Sequence, residues 1–162
     1  MGWEMNTKEI CMKGYARIPL LTKLKYVGVG NEDLLTIYTL FIRSITEYCS
    51  VVYHNSLTHK QSNRIEAIQV TCLRVILDVN YVSYAASLEM CALERLSARR
   101  SKRQLAFSLR CLENEFTKKF FPENQSNKKE RFKVNFARTK KYLHSTIPQS
   151  QRVLNEYYLE GS

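Results

Sequence analysis

Apolar side chains recur every three or four positions from residue 31 to residue 54: Leu34, Tyr38, Phe41, Ile45, Tyr48 and Val52, flanked by Leu35, Ile42 and Cys49. A strand would alternate with a period of two, so this pattern requires a helix, and a stripe this wide requires one buried around most of its circumference. Asn31 reads as the N-cap. Glu32 and Asp33 place negative charge on the first turn, where the helix dipole favours it by a few tenths of a kcal/mol.

Other segments follow the same period. Thr58 with Gln61 three residues on is a capping-box arrangement, leading into Ile65, Ile68, Cys72, Leu73 and Ile76 on one face. The break before it is short, which predicts an antiparallel helical hairpin with the preceding helix. A short helix is expected over Tyr84 to Cys91 behind Ser83, and a longer one from Glu94 to Phe116 with Leu105, Leu109, Leu112 and Phe116 facing inward. Upstream, residues 8 to 27 predict a helix holding Leu20, Leu21 and Leu24 that starts or bends at Pro19, and Gly28 and Gly30 make the turn after it. Beyond Pro122 the chain turns polar, and Phe132, Val134 and Phe136 alternate with Lys133 and Asn135 as a short strand would. Ile147 and Pro148 begin a last segment. The expected architecture is an all-α bundle of four to five helices over residues 1–122, followed by a loosely held, partly extended basic tail over 123–162.

With 162 residues, 44% of them hydrophobic, the chain can bury one sizeable core. The 25 basic against 15 acidic residues leave a net charge of +10, which draws the protein toward phosphate-rich partners or anionic membranes. No apolar run approaches the roughly 18 residues of a membrane span, and no basic start followed by an apolar stretch marks a leader. The expectation is a soluble intracellular protein, cytoplasmic or nuclear. Five widely spaced cysteines, an odd number, read as reduced core residues instead of a disulfide framework. No C-x-x-C or H-x-x-x-H is present, so neither a metal nor another cofactor is expected.

Two groups of basic residues are candidates for nucleic-acid contact. Arg95, Arg99, Arg100, Lys102 and Arg103 form a run without an acid on the long helix. In the tail, Lys128, Lys129, Arg131, Lys133, Arg138, Lys140 and Lys141 interleave with Phe132, Phe136 and Tyr142, a mixture suited to phosphate contact and base stacking on a single strand. The competing reading is a solvated face, or arginines paired with Glu47, Glu89 and Glu94. Arg43 and Glu47, at i and i+4 on the most buried helix, form a candidate structural pair, one satisfying the other or reaching a neighbouring helix.

The stretch Ile37-Tyr38, Phe41-Ile42-Arg43-Ser44 and Glu47-Tyr48-Cys49, then His54, Ser56-Leu57-Thr58 and Ile65-Glu66-Ala67-Ile68-Gln69, resembles the region just after the polymerase core in jockey-like non-LTR retrotransposon reverse transcriptases. Leu73-Arg74-Val75-Ile76-Leu77, Tyr81, Ser83-Tyr84, Leu93-Glu94-Arg95-Leu96 and Arg99-Arg100 continue the order, as do Phe120-Phe121-Pro122 and Ile147 to Asn155. The resemblance covers nearly the whole chain, although no block of it is a catalytic signature. It implies a fragment of a larger reading frame that follows the missing palm domain and includes the thumb, which braces template and primer. The implied partner is RNA or an RNA/DNA hybrid.

The residues point the same way on catalysis. Two-metal nucleotidyl transfer needs clustered carboxylates, and the chain has two aspartates, Asp33 and Asp78, neither in a Tyr-x-Asp-Asp-like turn. Asp33 reads as a helix-start charge and Asp78 as the residue closing the helix that ends near Leu77. No G-x-S-x-G, P-loop or G-x-G-x-x-G is present. Cys49 and His54 would lie about 140° apart on one helix, which argues against a catalytic pair. The expectation is therefore a non-enzymatic binding module, with an inert or structural remnant as the alternative.

Overall fold

A computed structural model of the chain describes residues 3–125 and 130–160. Along the chain lie α1 (Glu4–Tyr15), α2 (Ile18–Tyr26), α3 (Asn31–Ile37), α4 (Arg43–Glu47), α5 (Ser50–Tyr53), α6 (His59–Leu77), α7 (Tyr84–Met90), α8 (Leu96–Glu113), α9 (Glu115–Lys118), α10 (Lys140–Leu143) and α11 (Thr146–Glu160), with a π-helical turn, Tyr38–Ile42, between α3 and α4. No strand occurs among the described residues, so the fold is all-α. None of these helices is long and apolar enough to cross a membrane. The chain divides into two compact units: Met1–Tyr48 with Leu57–Arg99, and Cys49–Ser56 with Arg100–Ser162. This differs from the expected division at residue 122.

In the first unit α6 is the central element. Thr58 and Gln61 close the capping box from both sides: Gln61 N donates to Thr58 Oγ1 (3.2 Å) and Thr58 N to Gln61 Oε1 (2.9 Å). Ile65, Ile68, Cys72, Leu73 and Ile76 are buried along it, against α1, α2 and α3. Gly14 lets α1 come close, since a Cβ there would lie 2.8 Å from the Ile68 Cδ1 atom. Pro19 sits in the first turn of α2, where a missing N–H costs nothing. Gly28, at φ +87°, closes α2, with Val29 N donating back to Leu24 O.

The expected continuous helix over residues 31–54 is interrupted twice. Within the π turn the chain takes an extra residue per turn, which delays its inward face. Burial therefore falls on Leu34, Tyr38, Ile42 and Thr46, while Phe41 and Tyr48, placed inward by a strict α period, are 53% and 76% exposed. At Tyr48 the backbone becomes extended, and Cys49 adopts a left-handed conformation (φ 51°) that ends the helix and exposes its thiol, contrary to the expected core position.

The second unit has a small apolar centre, Cys111, Phe121, Phe132 and Leu154, with Leu109, Leu112 and Tyr158 packed against it. The deepest line on α8 is mostly polar: Arg100, Gln104 and Ser108 are essentially inaccessible, whereas Leu105, Leu109 and Leu112 are half-buried and Phe116 is 71% exposed. Phe116 escapes the expected stripe because α8 stops at Glu113 and Asn114 caps a new turn. Among the described residues after Pro122 no strand forms, and the segment expected to be loose is held by hydrogen bonds. Backbone pairing among the described residues there includes an isolated antiparallel bridge, Glu123 with Phe132. Two amides of α11 hold the extended segment. Asn155 Nδ2 donates to Phe132 O (2.9 Å) and its Oδ1 accepts from Phe132 N (2.8 Å). Gln151 Oε1 accepts from Asn135 N (2.8 Å), and its Nε2 donates to Phe120 O (2.7 Å). Because the Asn155 bonds are buried, Asn155→Ala orphans two backbone groups at a cost of roughly 1–3 kcal/mol each. Amide hydrogen exchange should show residues 130–136 losing protection in that variant, with α6 unaffected.

Candidate nucleic-acid interface

The net charge is unevenly divided. The second unit holds 14 of the 25 basic and 6 of the 15 acidic side chains, a net +8 of the total +10, while the first unit is close to balanced at +2. A polyanion is therefore attracted mainly to the second unit.

The candidates on α8 and just before it have separate fates. In the first unit, Arg95 is exposed with its guanidinium 5.7 Å from the Tyr84 ring centre, and Arg99 is committed to Glu47. Glu47 is 3% exposed, and its two carboxylate oxygens accept from Arg99 Nε and Nη2. Of the two forms expected for this pair, Glu47 takes the second, reaching a neighbouring helix instead of Arg43. The bond to Glu47 raises the Arg99 guanidinium above its ordinary pKa. In the second unit Arg100 is fully buried, leaving Lys102 and Arg103 as the exposed members of the run.

In the tail, Arg131, Lys133 and Arg138 are exposed. Lys128 and Lys129, together with the side chains of Lys140 and Lys141 on α10, lie outside the described residues. Phe132 is 4% exposed and forms core, so it cannot stack on a base; Phe136 (85%) and Tyr142 (43%) are accessible. Periodicity missed a further set. Asn114 Oδ1 accepts from Phe116 N (2.9 Å) and Thr117 N (3.3 Å), fixing the turn that carries Phe116 outward. Lys119 Nζ then lies 3.8 Å from the Phe116 ring centre and 5.4 Å from that of Phe120. The spacing Phe116-x-x-Lys119-Phe120 was the available signal.

A cleft of about 450 Å³ also opens in the second unit, between α8, α11 and the His54–Asn55 segment. Its wall mixes Lys102 and Arg152 with Glu156 and Glu160, so it presents no net charge to a phosphate. His54 Nε2 lies 3.1 Å from Ser101 Oγ, a proximity that no motif could reveal across 47 positions. Burial, joined by the charge of Arg100, pushes the His54 imidazole down to about 4, too weak a base to activate a hydroxyl efficiently at neutral pH. No hydrogen-bond partner among the described residues orients its Nδ1. The pair reads as structural. Likewise Asp33 sits in the first turn of α3 and Asp78 closes α6, and no group of three or more metal-ligating side chains occurs among the described residues.

Comparison with protein-family models, curated proteins and solved structures finds no match.

Two outcomes follow. Arg99→Ala leaves a buried carboxylate without its cation and should cost roughly 3 kcal/mol, whereas Arg43→Ala should change the denaturation midpoint little. His54 has a folded pKa below its ordinary 6.5, so its stabilising contribution is complete above that pH and is lost as pH falls toward about 4. Melting temperature should drop across that window, and the drop should be smaller in His54→Gln.

Proposed function

We propose that the chain is a non-catalytic nucleic-acid-binding module of the post-palm, thumb-like kind found in jockey-like non-LTR retrotransposon reverse transcriptases, with RNA or RNA/DNA hybrid as its partner. The observation that carries this reading is the concentration of the positive charge in the second unit, where exposed cations stand beside exposed aromatic rings. Each phosphate neutralised by Lys or Arg releases condensed counterions, so such a surface binds nucleic acid in a salt-dependent way. The order of residue blocks that resembles those polymerases supports the choice of RNA or hybrid. The module acts by holding its partner, since its two aspartates are accounted for by helix ends.

A second reading, a helical remnant without a dedicated partner, draws on the burial of Arg100 and the pairing of Arg99 with Glu47, which withdraw two of the five candidate cations of that run. Fluorescence anisotropy separates the two. The chain is titrated with single-stranded RNA, RNA/DNA hybrid and double-stranded DNA between about 50 and 200 mM salt. Binding that prefers RNA or hybrid and weakens steeply with salt is expected. If Lys133, an exposed cation, contacts a phosphate, replacing it with Gln should flatten the log–log salt slope by about one. Equal, weak binding to all three would favour the remnant.

A further inference from the structure

We propose that Phe116 and Phe120, with Lys119 between them, form a stacking platform for the unpaired bases of a single-stranded nucleic acid. The inference rests on the nucleic-acid reading and assigns the second unit a preference for bases over backbone alone. Phe116 is 71% and Phe120 41% exposed, and neither belongs to the apolar centre of the unit. The turn that carries them is firmly built: Asn114 caps it, and Thr117 Oγ1 donates to Cys111 O (2.8 Å) at the end of α8. Phe121, next in sequence, is anchored in the core with its ring edge-on to Phe132 at 6.4 Å. Two outward rings are thus fixed on a buried base, and little ordering entropy remains to be lost on binding.

Lys119 Nζ covers both rings, at 3.8 and 5.4 Å from their centres. An exposed cation–π contact is weak, so a base can displace the ammonium from the ring. The displaced ammonium stays on the same turn, where it can meet the phosphate of that nucleotide. A second cation–ring arrangement lies in the same unit: Arg131 sits 4.2 Å over the Tyr158 ring, which contacts the half-exposed Tyr157. Glu113 and Glu115 offset Lys118 and Lys119 locally. Affinity at this platform therefore comes from ring stacking more than from charge, and a duplex, whose bases are already stacked, gains nothing from it.

The test compares the full chain with Phe116→Ala, Phe120→Ala and Phe116→Trp on two single strands of equal length, one carrying bases and one abasic. Because both rings are exposed, the variants should keep the wild-type circular dichroism and melting temperature. Each alanine variant is expected to bind the base-carrying strand roughly ten-fold more weakly or worse, with an unchanged salt slope and unchanged binding to the abasic strand; Phe116→Trp should restore affinity. Wild-type affinity in the alanine variants, or equal losses on both strands, overturns the platform alone. Failure of the wild-type chain to bind either strand overturns the nucleic-acid reading and the platform with it.

Discussion

Gln69 is wholly buried on α6, and the first unit is arranged around satisfying it. Its Oε1 accepts from Tyr38 Oη (2.5 Å), and its Nε2 donates to Tyr84 Oη (2.9 Å) and to Glu94 O (3.0 Å). One amide thereby ties the π turn, α7 and the approach to α8 to the central helix. One turn earlier, Glu66 accepts from Tyr84 Oη and from the backbone N–H groups of Leu96 (3.0 Å) and Ser97 (3.2 Å), capping α8 from a distant part of the sequence. A buried polar atom left without a partner costs about 1–3 kcal/mol, so alternative packings of these segments each orphan several groups. Burial raises the Tyr38 and Tyr84 hydroxyls of this network far above their ordinary pKa, and raises the buried Cys72 thiol on α6 to about 12.

The second unit applies the same constraint with fewer apolar residues. Gln104 donates to Ser150 Oγ (2.8 Å), and Gln151 and Asn155 clamp the segment after Pro122. Side-chain amides do there what strand pairing would do in a sheet. A core specified by hydrogen bonds needs few aromatic residues, and Phe116, Phe120 and Phe136 remain outside it. The first unit also exposes rings, at Tyr26, Phe41 and Tyr48, but in the second unit accessible rings coincide with most of the net charge, and this connects its folding to its proposed function.

How much of this was legible depended on whether the deciding interaction was local. The capping box at Thr58 and the helix start at Ser83 involve partners three residues apart and were readable directly. The all-α class followed from the 3.6-residue period. The π turn was not readable, because a period search assumes a constant turn, and the shift from Phe41 to Ile42 depends on Tyr38 reaching Gln69 across 31 positions. Glu47 chose Arg99, 52 positions away, over Arg43 one turn away, for the same reason. The inward faces of α11, with Ser150, Gln151 and Asn155 beside Leu154, and of α8, with Arg100, Gln104 and Ser108, are largely polar, so the polar contacts that clamp the segment gave no hydrophobic signal and it looked like a loose tail. At the interface, composition indicated basic residues with aromatics, but only packing could distinguish buried Phe132 from exposed Phe116.

The central claim is that the second unit, and not the first, meets nucleic acid. Hydrogen–deuterium exchange of the full chain with and without single-stranded RNA tests it most directly. The account predicts new protection within residues 114–121 and 130–138, with exchange of α1, α2 and α6 unchanged. Protection concentrated on the first unit, or none at saturating RNA, would contradict it.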